Sequence, residues 1–434
     1  MADPQSSQRP RQGYYLSSPP MVWDPGERPA WVRHAIDGEG GPVFEAAAQP
    51  FDVDQLLAEA QARAGLDDFG GDTFLEPFGV LTESLDREAD LHLVGRWRVR
   101  EVMLRALENR LRITEAVRRD PGIADERIER PIVVCGSPRA GTSILHQLLA
   151  LAPGCRAPLA WEFWCPAPPP DPRTDATDAR IPLANRDVRL SAMLAPTFDG
   201  IHEQGALLPR ECMSAMILDF RSDVLCAHYP VPAYIEWFNA DDLRPAYAWH
   251  ERVLQVLQRR FAAPRWVLKS PGHMAVLPSL LDRYPDANVV VCHRDPLEML
   301  SSVTSLLATL RWAHANSVDY HALAREQADY YHRILDRLTG FRRDGVVDPA
   351  RVHDVHYAAF MADPVGTVRG VYEHFGLPFD DAYGDKIAGH LAAKPKGRLG
   401  GHQHTWADLG LDLATERARF AAYQEFFGVP SEDV

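Results

Sequence analysis

Several things this chain does without narrow its class before any motif is read. Its 434 residues contain no run near the roughly 18 consecutive apolar residues that a bilayer-spanning helix requires. Cysteine is scarce, six in all, with no CxxC pair and no dense cluster, so neither a disulfide framework nor a zinc finger is encoded. HExxH is absent, and the two histidines of "GHQHTW" stand at i and i+2, a spacing that does not put them on one helix face. No metal site is expected. The G-x-S-x-G elbow of the α/β-hydrolases is missing too. So is an excess of positive charge: the net charge of −14 argues against a nucleic-acid partner or attachment to anionic membrane. The opening "MADPQSSQRPRQGYYLSSPP" lacks the apolar core of a secretion signal. Cys135 and Cys292 end apolar runs, where cysteine serves as a small hydrophobe. Reduced thiols and a cytoplasmic protein are therefore expected.

What is present is ordinary globular composition, 46% apolar and 24% charged, in a chain long enough for one or two domains. Residues 1–50 are rich in Pro, Ser, Gly and Arg and read as an extended or partly disordered arm, one that can wrap a second copy in a homo-oligomer. Residues 51–130 read as a helical region. Asp54 caps a first helix with Leu56, Leu57, Ala60 and Ala64 on one face and Gly65 as its stop, and a longer helix covers about 90–117. The arginines of the longer helix (Arg96, Arg98, Arg100, Arg105, Arg110 and Arg112) read as a solvated face, with a binding face as the alternative.

From Pro131 the texture changes. The runs "PIVVCG", "RWVLK", "NVVVCH" and "RVHDVHY" alternate with helical patterns at 141–151, 273–284, 295–312, 317–339 and 363–376. Nearly continuous apolar runs are those of parallel strands covered on both faces, so residues 131–434 predict a doubly wound parallel α/β sheet of P-loop type. The Pro- and aromatic-rich stretch at about 163–260 is too long for a crossover and reads as a helical cap inserted into that unit.

Within "IVVCGSPRAGTSILHQLL", a G-x-x-x-x-G loop from Gly136 to Gly141 joins a buried strand to a helix. Amides and hydroxyls of Ser137, Ala140, Gly141, Thr142 and Ser143 then converge on an anion, with the helix N-terminus behind them. Thr142, however, stands where a nucleotide triphosphatase carries its lysine, and the loop's cation is Arg139. That disfavours Mg²⁺-ATP chemistry. A second anion site is expected where "NVVVCH" runs into Arg294, with Asp295 as cap, Pro296 at the first helical position and Glu298 closing a capping box. Ser302 lies two turns down the same face. Arg294 alone reads equally well as a structural ion pair. Together the two sites fit a ligand carrying two separated phosphate groups.

These segments, in order with "DDFG", "WEFWCPAPPP", "KSPGH", "YPDANVVVCHRDP" and "HTWADLGLD", resemble the sulfotransferases that use 3′-phosphoadenylyl sulfate (PAPS), in their large bacterial branch, from about Phe51 to Leu411. The resemblance implies that Ser137–Ser143 with Arg139 hold the 5′-phosphosulfate and that Arg294 and Ser302 hold the 3′-phosphate. It implies that Tyr357 lies near the adenine and that "KPKGRLGGH" closes over the 3′-phosphate through Lys396 and Arg398. The product is then adenosine 3′,5′-bisphosphate, and a single 5′-phosphate needs no metal-bound β/γ cradle. Arg139 and Lys269 are the cations expected at the transferred group; a snorkelling or ion-paired structural role is the alternative for Lys269.

Some relatives take the acceptor's proton with a Glu about twenty residues past the loop, which points to Glu162, with Trp161, Phe163 and Trp164 promising a dry pocket. Others use histidine, so His202 and then His273 are rivals, as is Glu211. The expected acceptor is a small hydroxylated molecule, apolar or aromatic, because 163–260 is rich in such side chains and lacks a dense Lys/Arg groove. An ATP-dependent phosphotransferase and a catalytically inactive nucleotide-binding protein of the same fold stay open. Calorimetry is expected to show adenosine 3′,5′-bisphosphate binding without Mg²⁺ and no ATP binding at the same concentrations; magnesium-dependent ATP binding would return the chain to the phosphotransferases.

Overall fold

A computed structural model describes residues 23–39, 41, 44–200, 203–261, 265–394 and 404–434. Five parallel strands form one sheet: β1 (Ile132–Gly136), β2 (Cys155–Arg156), β3 (Arg265–Lys269), β4 (Asn288–His293) and β5 (Val352–His356), in the order β2-β3-β1-β4-β5. Successive residues of a strand face opposite ways, and here both faces are covered. Val133, Cys135, Val289 and Val291 enter one core, while Ile132, Val134, Val290 and Cys292 enter another. That burial on both sides is why the strands read as unbroken apolar runs. The chain runs from β1 out to the β2–β3 side, then crosses to β4. The carboxyl ends of β1 and β4 are therefore the switch point at which doubly wound sheets bind ligands.

Around the sheet lie α1 (Val53–Ala64), α2 (Leu93–Arg119), α3 (Thr142–Ala150), α4 (Ala160–Trp164), α5 (Arg180–Leu194), α6 (Asp223–His228), α7 (Pro296–Trp312) and α8 (Leu413–Phe427), with further helices between them. Asp52, rather than Asp54, caps α1 by accepting from the Gln55 N–H at 2.8 Å, and Gly65 ends it in the left-handed conformation. Residues of α1 and α2 share the core formed by the sheet's first face.

Several readings of the sequence gain detail or change. The described part of the 1–50 segment is anchored to the rest of the protein. Trp23 stacks on Tyr320 with ring centroids 5.5 Å apart, Arg28 donates to the carbonyls of Trp312 and Ala315 at 2.7 and 2.6 Å, and Val32 is buried. A few widely spaced anchors do this without leaving a periodic signal. Ahead of the 163–260 stretch, Cys155–Arg156 adds an edge strand, β2, too short to show as an apolar run. The 273–284 pattern divides into a 3₁₀ turn, Pro271–Val276, and a short helix, Leu277–Arg283. Most arginines of α2 are neither solvated nor ligand-facing: Arg98 and Arg105 pair with Asp187, Arg100 with Glu59, and Arg96 with Asp86.

Arg110 goes furthest. It is fully buried 3.1 Å from Asp219, donates to the Leu218 carbonyl at 2.9 Å, and lies over the rings of Phe74 and Trp249. Removing one partner of a buried pair leaves the other charged in an apolar surround. Asp219→Ala is expected to cost about 3–5 kcal/mol in urea denaturation; a loss below about 1 kcal/mol would mean that the Arg110 charge finds water.

Candidate functional site

The loop after β1 is shaped by two backbone constraints. Gly136 has φ +118°, and a Cβ there would lie 2.2 Å from the carbonyl oxygen of Cys292, so no other residue lets β1 and β4 come this close. Ser137 then donates its N–H to that same carbonyl at 3.0 Å. Arg139 (φ +64°) and Gly141 (φ +84°) both sit in the left-handed region, bracketing Ala140. Such alternation turns successive N–H groups inward into an anion-binding nest at the start of α3. A Cβ on Gly141 would meet the Phe360 ring at 2.9 Å, which ties the loop to the helix after β5.

Lys269 ends β3 beside this loop. Its ammonium is buried, donates to Ser143 Oγ at 3.0 Å and pairs with the carboxylate of Glu211. Glu211 is fixed by its neighbours: the Cys212 N–H donates to the Lys269 carbonyl, and the Arg210 N–H to that of Pro158, both at 2.8 Å. The cap thus reaches back to the end of the central sheet and delivers a carboxylate there.

On the other side, Arg294 follows β4. Its guanidinium donates to the Arg139 carbonyl at 3.2 Å, lies 4.2 Å over the Tyr357 ring, and pairs with Glu298 and Glu432. Tyr357 begins the helix Tyr357–Ala362 rather than ending β5. Asp295 caps α7 by accepting from the Leu297 N–H at 3.0 Å. Ser302 is buried within α7. The field here is positive: burial lowers the Arg139 guanidinium below its ordinary range, with Arg294 acting the same way. His404, whose Nδ1 shares a hydrogen bond with Ser301 Oγ at 2.8 Å, is pushed down to about 4 by burial and by both arginines. Two guanidiniums converging on a nest favour an anion between them.

A cavity of about 960 Å³ opens from the nest. Arg139, Thr142, Ser143, Lys269 and Tyr357 line it together with the apolar Phe198, Ile235, Phe238, Leu307 and Leu310, and Glu211 and Asp223 are also on its wall. Asp223 opens α6 against Gly272, where a Cβ would come within 2.4 Å of its Oδ2. Burial first, then the negative charge of Glu211, push its acid up to about 7.

The residues proposed for proton transfer fare differently. Glu162 does not line the cavity. It is fully buried in α4, accepts from the Leu159 N–H at 2.8 Å, and pairs with Arg156, so its carboxylate serves as helix cap and ion-pair partner. Burial does raise its acid, as the flanking aromatics implied, but Arg156 opposes that and occupies it. His273 is also away from the cavity, sharing a 2.7 Å hydrogen bond with Tyr247, and burial lowers it to about 3. His202, Lys396 and Arg398 lie outside the described residues. Sequence reading missed Arg210, Asp223 and Lys394, all on the cavity wall, and His404. The string "PREC", charges wedged between Pro209 and an apolar run, was the available signal for the first.

The Sulfotransferase family's sequence model matches residues 131–381, more than half of the chain. The chain is 25% identical over 293 residues to omega-hydroxy-beta-dihydromenaquinone-9 sulfotransferase Stf3 of Mycobacterium bovis, and equally to that of Mycobacterium tuberculosis, covering 65% of this chain and 69% of the relative. Among solved structures it is similar to sulfotransferase STF1 of Mycobacterium tuberculosis, at 31% identity and a TM-score of 0.76, covering 86% of this chain and 99% of that one. Sulfotransferase STF9 of Mycobacterium avium matches with a TM-score of 0.80 at 27% identity, over 88% and 98% of the two chains.

The elevated Asp223 gives a stability signature. Folded, it keeps its proton where the unfolded chain has already lost it, so its contribution to stability falls as pH climbs from about 4 to about 7. Asp223→Asn, uncharged throughout, is expected to add about 1–2 kcal/mol at pH 8, discounted because the carboxylate faces the cavity, and clearly less at pH 5. Thermal melts across that range check it; an equal effect at both values would remove the charge explanation.

Proposed function

Because the chain belongs to the sulfotransferase family, we propose that it transfers the sulfuryl group of PAPS to a hydroxyl of a small, largely apolar or aromatic acceptor. The observation that carries this reading is that one cavity draws its lining from both kinds of residue, Arg139, Ser143 and Lys269 around the nest and the apolar Phe198, Ile235, Phe238, Leu307 and Leu310. A donor anion at the nest then shares that cavity with an acceptor that needs little charge to hold it.

The residues fit the donor. Amides from Ser137 to Ser143 suit the 5′-phosphate oxygens, and Arg139 adds charge that the field of Arg294 makes receptive to an anion. Arg294, just before α7, and Ser302 within it suit the 3′-phosphate, and Tyr357 beneath the Arg294 guanidinium offers a face for the adenine. Lys269, held against Ser143, is the cation for charge that builds on the bridging oxygen as the S–O bond breaks. For the acceptor proton we assign Glu211 in place of Glu162. Glu211 is on the cavity wall and touches the Lys269 ammonium, whereas Glu162 is buried within α4, paired with Arg156, and does not line the cavity. A hydroxyl bound in the same cavity can reach this carboxylate, as general-base catalysis requires. The proton goes to Glu211 as the acceptor oxygen bonds to sulfur, and adenosine 3′,5′-bisphosphate leaves. The mycobacterial relative named for a hydroxylated menaquinone supports an apolar acceptor with a terminal hydroxyl.

With labelled PAPS and a panel of phenols and long-chain alcohols, Glu211→Gln is expected to lower kcat by 10²–10⁴-fold while bisphosphate affinity stays within a few-fold. Glu162→Gln should instead lower Tm and keep kcat within about ten-fold in the folded fraction. Full turnover by Glu211→Gln would remove it from proton transfer, and transfer to no acceptor by the wild type would favour an inactive nucleotide-binding protein.

A further inference from the structure

The guanidinium assigned to the 3′-phosphate already holds an anion from its own chain. Both carboxylate oxygens of Glu432 accept from Arg294, from Nε and Nη2, each at 2.8 Å. This is the fork-to-fork geometry by which arginine grips a carboxylate or a phosphate. Backbone contacts hold the glutamate there. Its N–H donates to Asp295 Oδ2 at 2.6 Å, and its carbonyl accepts from Arg417 Nη2 at 3.4 Å, while Arg417 Nη1 also reaches both Asp295 oxygens at 2.7 Å. The segment after α8 is thereby strapped across the N-terminus of α7, the helix end that attracts negative charge.

A second carboxylate, Glu298, is 3.0 Å from the same guanidinium. Burial, and behind it the charge of Glu432, push the Glu298 acid up while Arg294 pulls it down. One cation thus faces two anions, one more than pairing requires. The two are not equally committed. Glu298 is one turn into α7 on the helix itself, whereas Glu432 is 34% exposed against 14% for Arg294 and can leave for water. The arginine would stay seated on Tyr357 and on the Arg139 carbonyl.

We propose that Glu432 is an internal stand-in for the remote phosphate of the donor, an autoinhibitory contact that the 3′-phosphate must displace from Arg294. The inference rests on the reading of Arg294 as a donor-binding residue. Its effect is twofold: the guanidinium is kept paired and aimed before donor arrives, and donor affinity is reduced by the fraction of molecules in which the strap is closed.

Calorimetry with adenosine 3′,5′-bisphosphate and with adenosine 5′-monophosphate separates the possibilities. Glu432→Gln is expected to bind the bisphosphate about three- to ten-fold tighter, corresponding to a strap closed in most molecules. The 5′-monophosphate, which lacks the displacing group, should bind Glu432→Gln and wild type alike. Glu432→Asp keeps the charge but shortens its reach, and should tighten bisphosphate binding by a smaller factor. Tightening by neither variant, or equal tightening for both nucleotides, overturns the strap while leaving the donor site intact. Arg294→Ala serves as the control on the site: undiminished bisphosphate binding by that variant overturns the assignment of Arg294 itself.

Discussion

The contact on which the site depends is backbone against backbone, Gly136 on Cys292. With 2.2 Å between a would-be Cβ and the Cys292 carbonyl, β1 and β4 meet with no side chain between them. The loop must then leave the sheet directly over the end of its neighbour, and Arg139 and Arg294 end up sharing a hydrogen bond through the Arg139 carbonyl. The parallel register does the rest. Val134 lies opposite Lys269, so the end of β3 projects its ammonium beside the same loop. The ends of three strands thus carry Arg139, Lys269 and Arg294, and Glu211, Glu298 and Glu432 pair with the last two.

That arrangement explains why the sheet and the loop were legible and much of the surrounding chemistry was not. Burial on both faces leaves an unmistakable trace, and the strands begin and end within a residue or two of the runs "PIVVCG", "RWVLK" and "NVVVCH". The nest is local, so its spacing survives in the sequence as G-x-x-x-x-G. Side-chain direction is not local. Glu162 and Glu211 are both acidic residues between β2 and β3, and Glu162 has the more aromatic neighbours. Yet the first residues of α4 turn Glu162 back onto the Leu159 N–H and Arg156, while backbone hydrogen bonds from Cys212 to the end of β3 and from Arg210 to Pro158 bring Glu211 to the loop. The arginines of α2 show the same limit, because Asp187 and Asp219 are distant in sequence and become neighbours only through the fold.

The short strand β2 and the packed segment around Trp23 show a related limit at the sheet edge and the chain's beginning. A two-residue strand gains its hydrogen bonds from β3 rather than from any pattern of its own. Trp23 and Arg28 dock through isolated residues spaced among prolines and glycines, where hydrophobic periodicity has nothing to register.

The pairing of Arg98 and Arg105 with a single aspartate, Asp187 in the middle of α5, has a consequence for how such a protein can diversify. Two arginines from α2 fasten that cap helix by charge, at 2.7 and 2.9 Å, while the chamber wall close by is made of interchangeable apolar side chains. Fastening and fitting are thus assigned to different residues. Under the proposed function, substitution among Phe198, Ile235, Phe238 and Leu310 would reshape the cavity for a different acceptor without loosening the cap.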